Sequence, residues 1–352
     1  SRSGYIFYSI IFSFTSIYIK MEACPIIALT QGDPAGIGPE VVVKAFQDEA
    51  LFADTRILVI GDLQILKNKA KQISPEIKLH SVASAKEGLY QPGTIDIIDL
   101  NNVSENLPIG QASAVGGKAS YEAIHKAVML ALNDEVDAIT TCPINKKSLH
   151  LAGHLFPGHT ELLGQLTNSK DPSLMMESNS MRVVLVTTHL PLNQVKSQIS
   201  KEKVLQSIRT THDWLKKYVT EIPRIAVVGL NPHCGDEGIF GEEETEFILP
   251  ALKTAKKKGI QVSGPYPADA LFARSVSEKY DAVICMYHDQ GMIPVKMNGM
   301  GVNITLGLPI LRTSVDHGTA YDIVDQNIAS AENLKLALKT AGRLSQFTLS
   351  MQ

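Results

Sequence analysis

Three short apolar runs, each followed by a histidine, restrict the fold more than anything else in the chain. Val183-Val184-Leu185-Val186-Thr187-Thr188 leads to His189, Ile225-Ala226-Val227-Val228-Gly229-Leu230-Asn231-Pro232 leads to His233, and Ala282-Val283-Ile284-Cys285-Met286 leads through Tyr287 to His288. Apolar runs of this length and β-branched content are strands buried on both faces, as in parallel sheets covered by helices. In open α/β sheets the carboxyl ends of the strands are where ligands bind. Parallel strands of one sheet bring the three histidines together there, and three neutral imidazoles leave a divalent ion with open positions, as in catalytic sites. Taken singly, each histidine reads as a solvated or capping residue; the repetition is what favours a shared metal site.

The remaining chain alternates in the same way. Strands are expected at Pro25–Thr30, Ile57–Ile60, Ile77–His80, Ile95–Asp99 and Ala138–Thr140. Helices are expected from about Val41, over Leu63–Gln72, Ser113–Asn133, Lys201–Tyr218, Glu242–Lys258 and Glu332–Phe347. Alternating β and α runs predict a largely parallel α/β sheet rather than segregated layers. Between the first strand and helix, Gln31-Gly32-Asp33-Pro34-Ala35-Gly36-Ile37-Gly38-Pro39-Glu40 is a glycine-rich turn able to lie against a ligand, although it matches neither the dinucleotide fingerprint nor a P-loop.

Polar groups of the right chemistry cluster after the third run. Asp289 adjoins His288, and Lys296 and Arg312 with Asn303 form a candidate anion clamp, Arg being suited to bidentate phosphate or carboxylate recognition. Upstream, the loop Gly153–Glu161 places His159 and Thr160 before a helix, either as its cap or facing a ligand at its N-terminus. The acidic start and basic end of Glu242–Lys258 complement the helix dipole and need no functional reading. Cys234, next to His233, reads as a small buried residue or a further metal ligand.

With 352 residues, 44% hydrophobic and 20% charged, the chain suits a globular enzyme of two domains. A net charge of -3 without a basic run argues against nucleic-acid binding. Four scattered cysteines argue for reduced thiols and a cytoplasmic setting. The apolar stretch Ile6–Ile19 is shorter than the roughly 20 residues of a membrane span, so residues 1–20 are read as an extension outside the fold and no membrane partner is expected.

Six motifs in order resemble the 4-hydroxythreonine-4-phosphate dehydrogenase family of vitamin B6 biosynthesis. They are Thr30–Glu40, Pro157–Glu161, Thr187–Leu192, Gly229–His233, Met286–Gly291 and Arg312–Ala320. The resemblance implies an isopropylmalate-dehydrogenase-like fold of two α/β domains with a cleft between them, and a homodimer. The first domain would comprise 21–142 and 292–352 on the nucleotide side, and the second 143–291 on the metal side. It implies NAD- or NADP-dependent oxidation of 4-phosphonooxy-threonine followed by loss of carbon dioxide, with one zinc, magnesium or cobalt ion. Metal ligands fall on His189, His233 and His288, and substrate contacts on His159, Thr160, Lys296, Asn303 and Arg312. His317-Gly318-Thr319-Ala320-Tyr321-Asp322 resembles the adenosine-binding loop of the wider β-decarboxylating dehydrogenases.

In such a reaction a base takes the hydroxyl proton while hydride leaves the carbon; Asp269 and Asp289 are candidates for base or for orienting the histidines, with Lys146 a further candidate. Where relatives continue Ala-Gly-Lys-Gly, this chain has Val324-Asp325-Gln326-Asn327. The missing lysine and added carboxylate lead to an expected preference for NAD over NADP. Competing readings are a dehydrogenase of a related phosphorylated hydroxy acid, a non-redox phosphate acyltransferase on a related fold, and a phosphate-ligand binding protein with no metal requirement.

Overall fold

A computed structural model describes residues 24–350 apart from 105, 180 and 275; the extension expected at 1–20 lies outside the described residues. The strands are β1 (Ile26–Thr30), β2 (Arg56–Gly61), β3 (Lys78–Ser81), β4 (Thr94–Asp99), β5 (Ala138–Thr141), β6 (Ser173–Ser178), β7 (Met181–Leu185), β8 (Ile225–Val228), β9 (Val262–Tyr266), β10 (Ala282–Cys285), β11 (Val302–Leu306) and β12 (Arg312–Ser314). The α-helices are α1 (Gly38–Ala45), α2 (Leu63–Ile73), α3 (Ala114–Leu132), α4 (Lys146–Leu151), α5 (His159–Leu166), α6 (Leu192–Gln198), α7 (Lys201–Tyr218), α8 (Leu249–Lys257), α9 (Ala268–Phe272), α10 (Val276–Lys279), α11 (His288–Met297) and α12 (Glu332–Ser350). None of the described helices is long and apolar enough to cross a membrane.

The chain divides into two compact units. The first runs to Pro157 and adds Ile310–Thr313 and the chain from His317 onward; the second is Gly158–Pro309 with Ser314–Asp316. The boundaries thus differ from 142/143 and 291/292, because α11 packs on β7, β6 and β10 while β11 pairs with β6, which keeps 292–309 in the second unit.

In the first unit the strands lie in the order β3-β4-β2-β1-β5, all parallel. Helices α3 and α12 cover β1 and β5. Strands buried on both sides need apolar residues on both faces, and Ile27, Ala28 and Leu29 of β1 are fully buried in succession. Helix α3 meets α4 at Gly117, where an added Cβ would lie 1.9 Å from the Ser148 carbonyl oxygen.

The second unit orders its strands β11-β6-β7-β10-β8-β9. Strand β10 pairs in parallel with β7 on one side and β8 on the other, Val283 lying opposite both Val183 and Ala226. Alternate residues Val183 and Leu185, Ala226 and Val228, and Val283 and Cys285 share a buried cluster with Met292 and Val295 of α11. Two pairings depart from the parallel plan, for β6 is antiparallel to both β7 and β11. Its sequence, Ser-Leu-Met-Met-Glu-Ser, lacks the β-branched residues that announce a strand.

At Gly117 a methyl group has no room, and its obstacle is backbone rather than a flexible side chain. Gly117→Ala should therefore destabilise the protein by about 1–3 kcal/mol, the usual cost of overpacking, read as a lower urea midpoint with an unchanged slope.

Candidate active site

The ends of β7, β10 and β8 lie side by side, and each continues into one of the three histidines. Beyond the regular strands the ladder persists: Val186 N–H donates to the Cys285 carbonyl at 2.8 Å, and the Thr187 hydroxyl to that of Met286 at 2.7 Å. Gln290 ties the other side, its Oε1 accepting from Met286 N–H and its Nε2 donating to the Gly229 carbonyl, both at 2.7 Å. Backbone and side-chain bonds therefore lock all three strand ends to one another.

Two of the histidines approach each other. The His189 and His288 rings have centroids 5.6 Å apart. Imidazoles on one ion bind at about 2.0–2.1 Å, which puts two ring centroids roughly 5–6 Å apart, so this pair fits a shared divalent ion. Asp289 Oδ1 lies 2.8 Å from His288 Nδ1; a carboxylate only accepts, so this contact favours the proton on Nδ1 and leaves Nε2 with its lone pair. The His233 ring lies beside Phe240, with centroids 6.3 Å apart. Among the described residues no three His, Cys, Asp or Glu side chains are gathered closely enough to hold an ion.

His233 occupies an unusual stretch of backbone. From His233 to Glu237 every φ is positive, at 53°, 56°, 82°, 44° and 56°, and only Gly235 takes that conformation freely. Each left-handed L-residue costs roughly 1–2 kcal/mol, so the turn persists only because its surroundings hold it. Two carboxylates that the sequence reading assigned only to the helix dipole do so. Glu244 accepts from Leu230 N–H at 2.7 Å, Asn231 N–H at 2.8 Å and Asn231 Nδ2 at 3.0 Å, while Glu243 accepts from Asn231 Nδ2 at 2.7 Å and pairs with Lys196. Both sit ahead of α8 around a single π-helical turn, Glu244–Ile248, where one α-helix was expected. A carboxylate at a helix start reads as a dipole partner, so the only sequence signal for this role was the density of glycines at 235, 238 and 241. Burial and then Glu244 push the Cys234 thiol up, which keeps it protonated and unlike a thiolate ligand.

His233, Asp269 on α9, Asp289, Asn231 and Gln290 all line one cavity of about 430 Å³. Elsewhere in this unit, the N-cap position of α5 is Gly158, so neither His159 nor Thr160 caps the helix; they begin its first turn, half-buried. Lys296 and Asn303 converge on Asp316: Lys296 Nζ lies 2.8 Å from Oδ2, and Asn303 Nδ2 lies 3.4 Å from Oδ1 and 3.2 Å from the Val315 carbonyl. The buried Oδ1 of Asn303 has no hydrogen-bond partner.

Arg312 and the expected nucleotide loop belong to the first unit. Arg312 is buried and donates to the Thr141 hydroxyl from Nε and Nη2, at 3.2 and 2.7 Å. Burial lowers its pKa to about 9, so it remains a cation at neutral pH. In the loop, Thr319 is buried, Ala320 is left-handed at φ 44°, and Gly318 and Asp322 are exposed. His317 is half-buried, its Nδ1 3.1 Å from the Gly318 carbonyl. The glycine-rich turn is packed against this loop: Ile37 N–H donates to the Thr319 carbonyl at 3.0 Å, and a Cβ on Gly36 would lie 2.8 Å from the same oxygen. Tyr321, another residue the sequence reading left without a role, donates to Asp33 Oδ2 at 2.6 Å and lies 3.0 Å from the Ser148 hydroxyl. Lys146 is exposed at the start of α4, beside a cavity it lines with Asn145, Lys147 and His150.

Comparison with known proteins covers nearly all of this architecture. Residues 53–341 match the family model described as pyridoxal phosphate biosynthetic protein PdxA. The chain is 44% identical over 324 residues to D-threonate 4-phosphate dehydrogenase of Cupriavidus necator, covering 91% of this chain and 97% of the relative. It is also 44% identical over 328 residues to 4-hydroxythreonine-4-phosphate dehydrogenase of Desulforapulum autotrophicum, covering 92% and 96%. A crystal structure of 4-hydroxythreonine-4-phosphate dehydrogenase from Klebsiella pneumoniae superposes with a TM-score of 0.88 at 40% identity, covering 92% of this chain and 98% of that one. The mixed α/β fold with mostly parallel strands is thus that of known dehydrogenases, and the chain belongs to the PdxA family.

Proposed function

We propose that the protein is a metal-dependent, NAD(P)-linked oxidative decarboxylase of 4-phosphonooxy-L-threonine, acting in pyridoxal phosphate biosynthesis. The observation that carries this reading is the trio of neighbouring parallel strand ends, β7, β10 and β8, each leading to a histidine in a chain of the PdxA family. His189, His233 and His288 would hold one divalent ion, zinc, magnesium or cobalt, which when bound stabilises negative charge developing on the substrate oxygen. Asp289 orients His288. Asp269, which lines the same cavity as His233, would take the hydroxyl proton, and a bound nicotinamide would supply the hydride acceptor. The 3-keto acid formed loses carbon dioxide, leaving 3-amino-2-oxopropyl phosphate.

In the second unit, Lys296 and Asn303, with His159 and Thr160, would contact the phosphorylated substrate, and the unsatisfied Asn303 Oδ1 supports a polar ligand there; in the first unit, Arg312 is the cation suited to an anionic substrate group. The loop His317–Asp322 receives the nucleotide. Lys146 lies in the first unit's own exposed cavity and has no assigned step. A second substrate is supported by the names of the relatives, since the Cupriavidus necator protein is a D-threonate 4-phosphate dehydrogenase. Both compounds have a hydroxyl β to the carboxylate, so the same chemistry serves either. We further infer a cytoplasmic homodimer.

The decisive experiment incubates the purified protein with each phosphorylated compound, either nucleotide and a panel of divalent ions, following reduced nicotinamide and released carbon dioxide. Reduction with the amino compound at the higher kcat/KM is expected; higher kcat/KM with D-threonate 4-phosphate assigns the second substrate, and absence of reduction refutes the dehydrogenase. His189→Ala and His288→Ala should each lose bound metal and nearly all turnover with the fold retained by circular dichroism.

Arg312→Lys keeps the charge but loses the planar fork. A rise in the substrate Michaelis constant corresponding to about 1–3 kcal/mol is expected, with nucleotide binding little changed.

Asp322 is exposed and accepts readily from a ribose diol, whereas it repels a 2′-phosphate. Lys69 Nζ lies 3.9 Å from Asp325 Oδ1 and 3.4 Å from Asn327 Oδ1, so a cation from α2 offsets part of the added acid. The preference for NAD then rests chiefly on Asp322. The ratio of kcat/KM for NAD to NADP should exceed one and fall in Asp325→Lys.

A further inference from the structure

The left-handed turn at His233 does not hold itself. β8 ends at Val228, and the next residues pass over a carboxylate that is 2% exposed, Glu244. Its Oε1 accepts from the backbone N–H of Leu230 and Asn231, and its Oε2 from the Asn231 side chain. The Asn231 carbonyl accepts from Cys234 N–H at 3.1 Å, the residue immediately after His233. The carboxylate also touches both ends of the segment, because a Cβ on Gly229 would lie 2.9 Å from Oε1 and one on Gly235 would lie 3.0 Å from Oε2. The backbone between β8 and His233 is therefore held by Glu244 at Leu230 and Asn231.

We propose that Glu244 is a positioning residue that sets the backbone from which His233 is presented, without itself touching substrate or ion. This rests on the reading of His233 as a metal ligand. A buried carboxylate with three N–H donors spends its acceptor capacity on the turn, so its effect on a ligand is transmitted through Asn231 and the 233–237 backbone. Glu243 serves the same asparagine, yet its charge is shared with Lys196, and it makes no contact with the backbone N–H of Leu230 or Asn231.

The test is Glu244→Gln, which keeps the volume and one acceptor oxygen but aims an NH₂ group at Asn231 Nδ2. Zinc or cobalt affinity of the metal-free protein is measured by calorimetry, alongside thermal midpoint, kcat/KM and the Michaelis constant for NAD. Metal affinity and kcat/KM should each fall about 10–100-fold, as for other groups that orient metal ligands, with the NAD constant unchanged. Asn231→Ala removes one of the three contacts and should give a smaller loss of the same kind, which keeps the idea testable if the first variant folds poorly. His233→Ala is the control. If it weakens metal binding while folded Glu244→Gln and Asn231→Ala stay within twofold of wild type, or lose only thermal stability, the positioning role is overturned and the metal reading stands. If His233→Ala itself binds metal and turns over normally, both ideas are overturned.

Discussion

Parallel pairing of β10 with β7 and β8 is the constraint on which the candidate site depends. Residues 189, 233 and 288 are far apart in the chain, and only the register that sets Val283 opposite Val183 and Ala226 brings the strand ends level. A slip of one residue would turn Val283 and Cys285 out of the shared cluster with Met292 and Val295, so burial selects the register that also brings the strand ends level. Gln290 extends that agreement past the last ladder bond. Its amide satisfies Met286 N–H and the Gly229 carbonyl at once, two backbone groups past the ends of their strands that would otherwise lose these partners.

Local conformations in both units are maintained by distant polar groups. In the second unit a run of left-handed residues is offset by the buried Glu244 and by Glu243. In the first, the left-handed Ala320 is followed by Tyr321, whose hydroxyl reaches Asp33 in the glycine-rich turn. Burial and the hydrogen bond to Asp33 push the Tyr321 phenol further up, so it stays a donor across the usable pH range. The glycines of that turn were expected to admit a ligand. Gly36 is needed because Thr319 lies against it, and Gly38 because a Cβ would come 2.2 Å from the Gln31 carbonyl, so their requirement is met by protein alone.

What was legible in the sequence was what local chemistry decides. The runs at β7, β8 and β10 declare themselves through β-branched residues, and α7 begins and ends at Lys201 and Tyr218 as expected, with the Ser200 side chain accepting from Lys203 N–H. β6 was not legible because its antiparallel partners, rather than its composition, make it a strand. Glu244 and Tyr321 were not legible because each acts on a segment well removed in sequence, 13 residues and 288 residues away for their bonds to Asn231 and Asp33. The same reasoning explains His233: its apolar run predicts a strand that pairs beside β10, but a five-residue left-handed path is a tertiary outcome that no propensity encodes.

Lys296 in the second unit and Arg312 in the first, the two cations of the expected anion clamp, occupy different electrostatic settings. Lys296 is half-exposed and already faces Asp316 at 2.8 Å, so an incoming anion competes with a carboxylate and the exchange changes its energy little. Asn303 is bound to the same aspartate through Nδ2 but keeps a buried acceptor unsatisfied, which a hydroxyl or amino group can fill and a phosphate oxygen cannot. Arg312 is desolvated enough to lower its pKa, so a charge brought against it recovers stability that water does not supply. Of the two cations, Arg312 is therefore the one on which a bound anion should gain more.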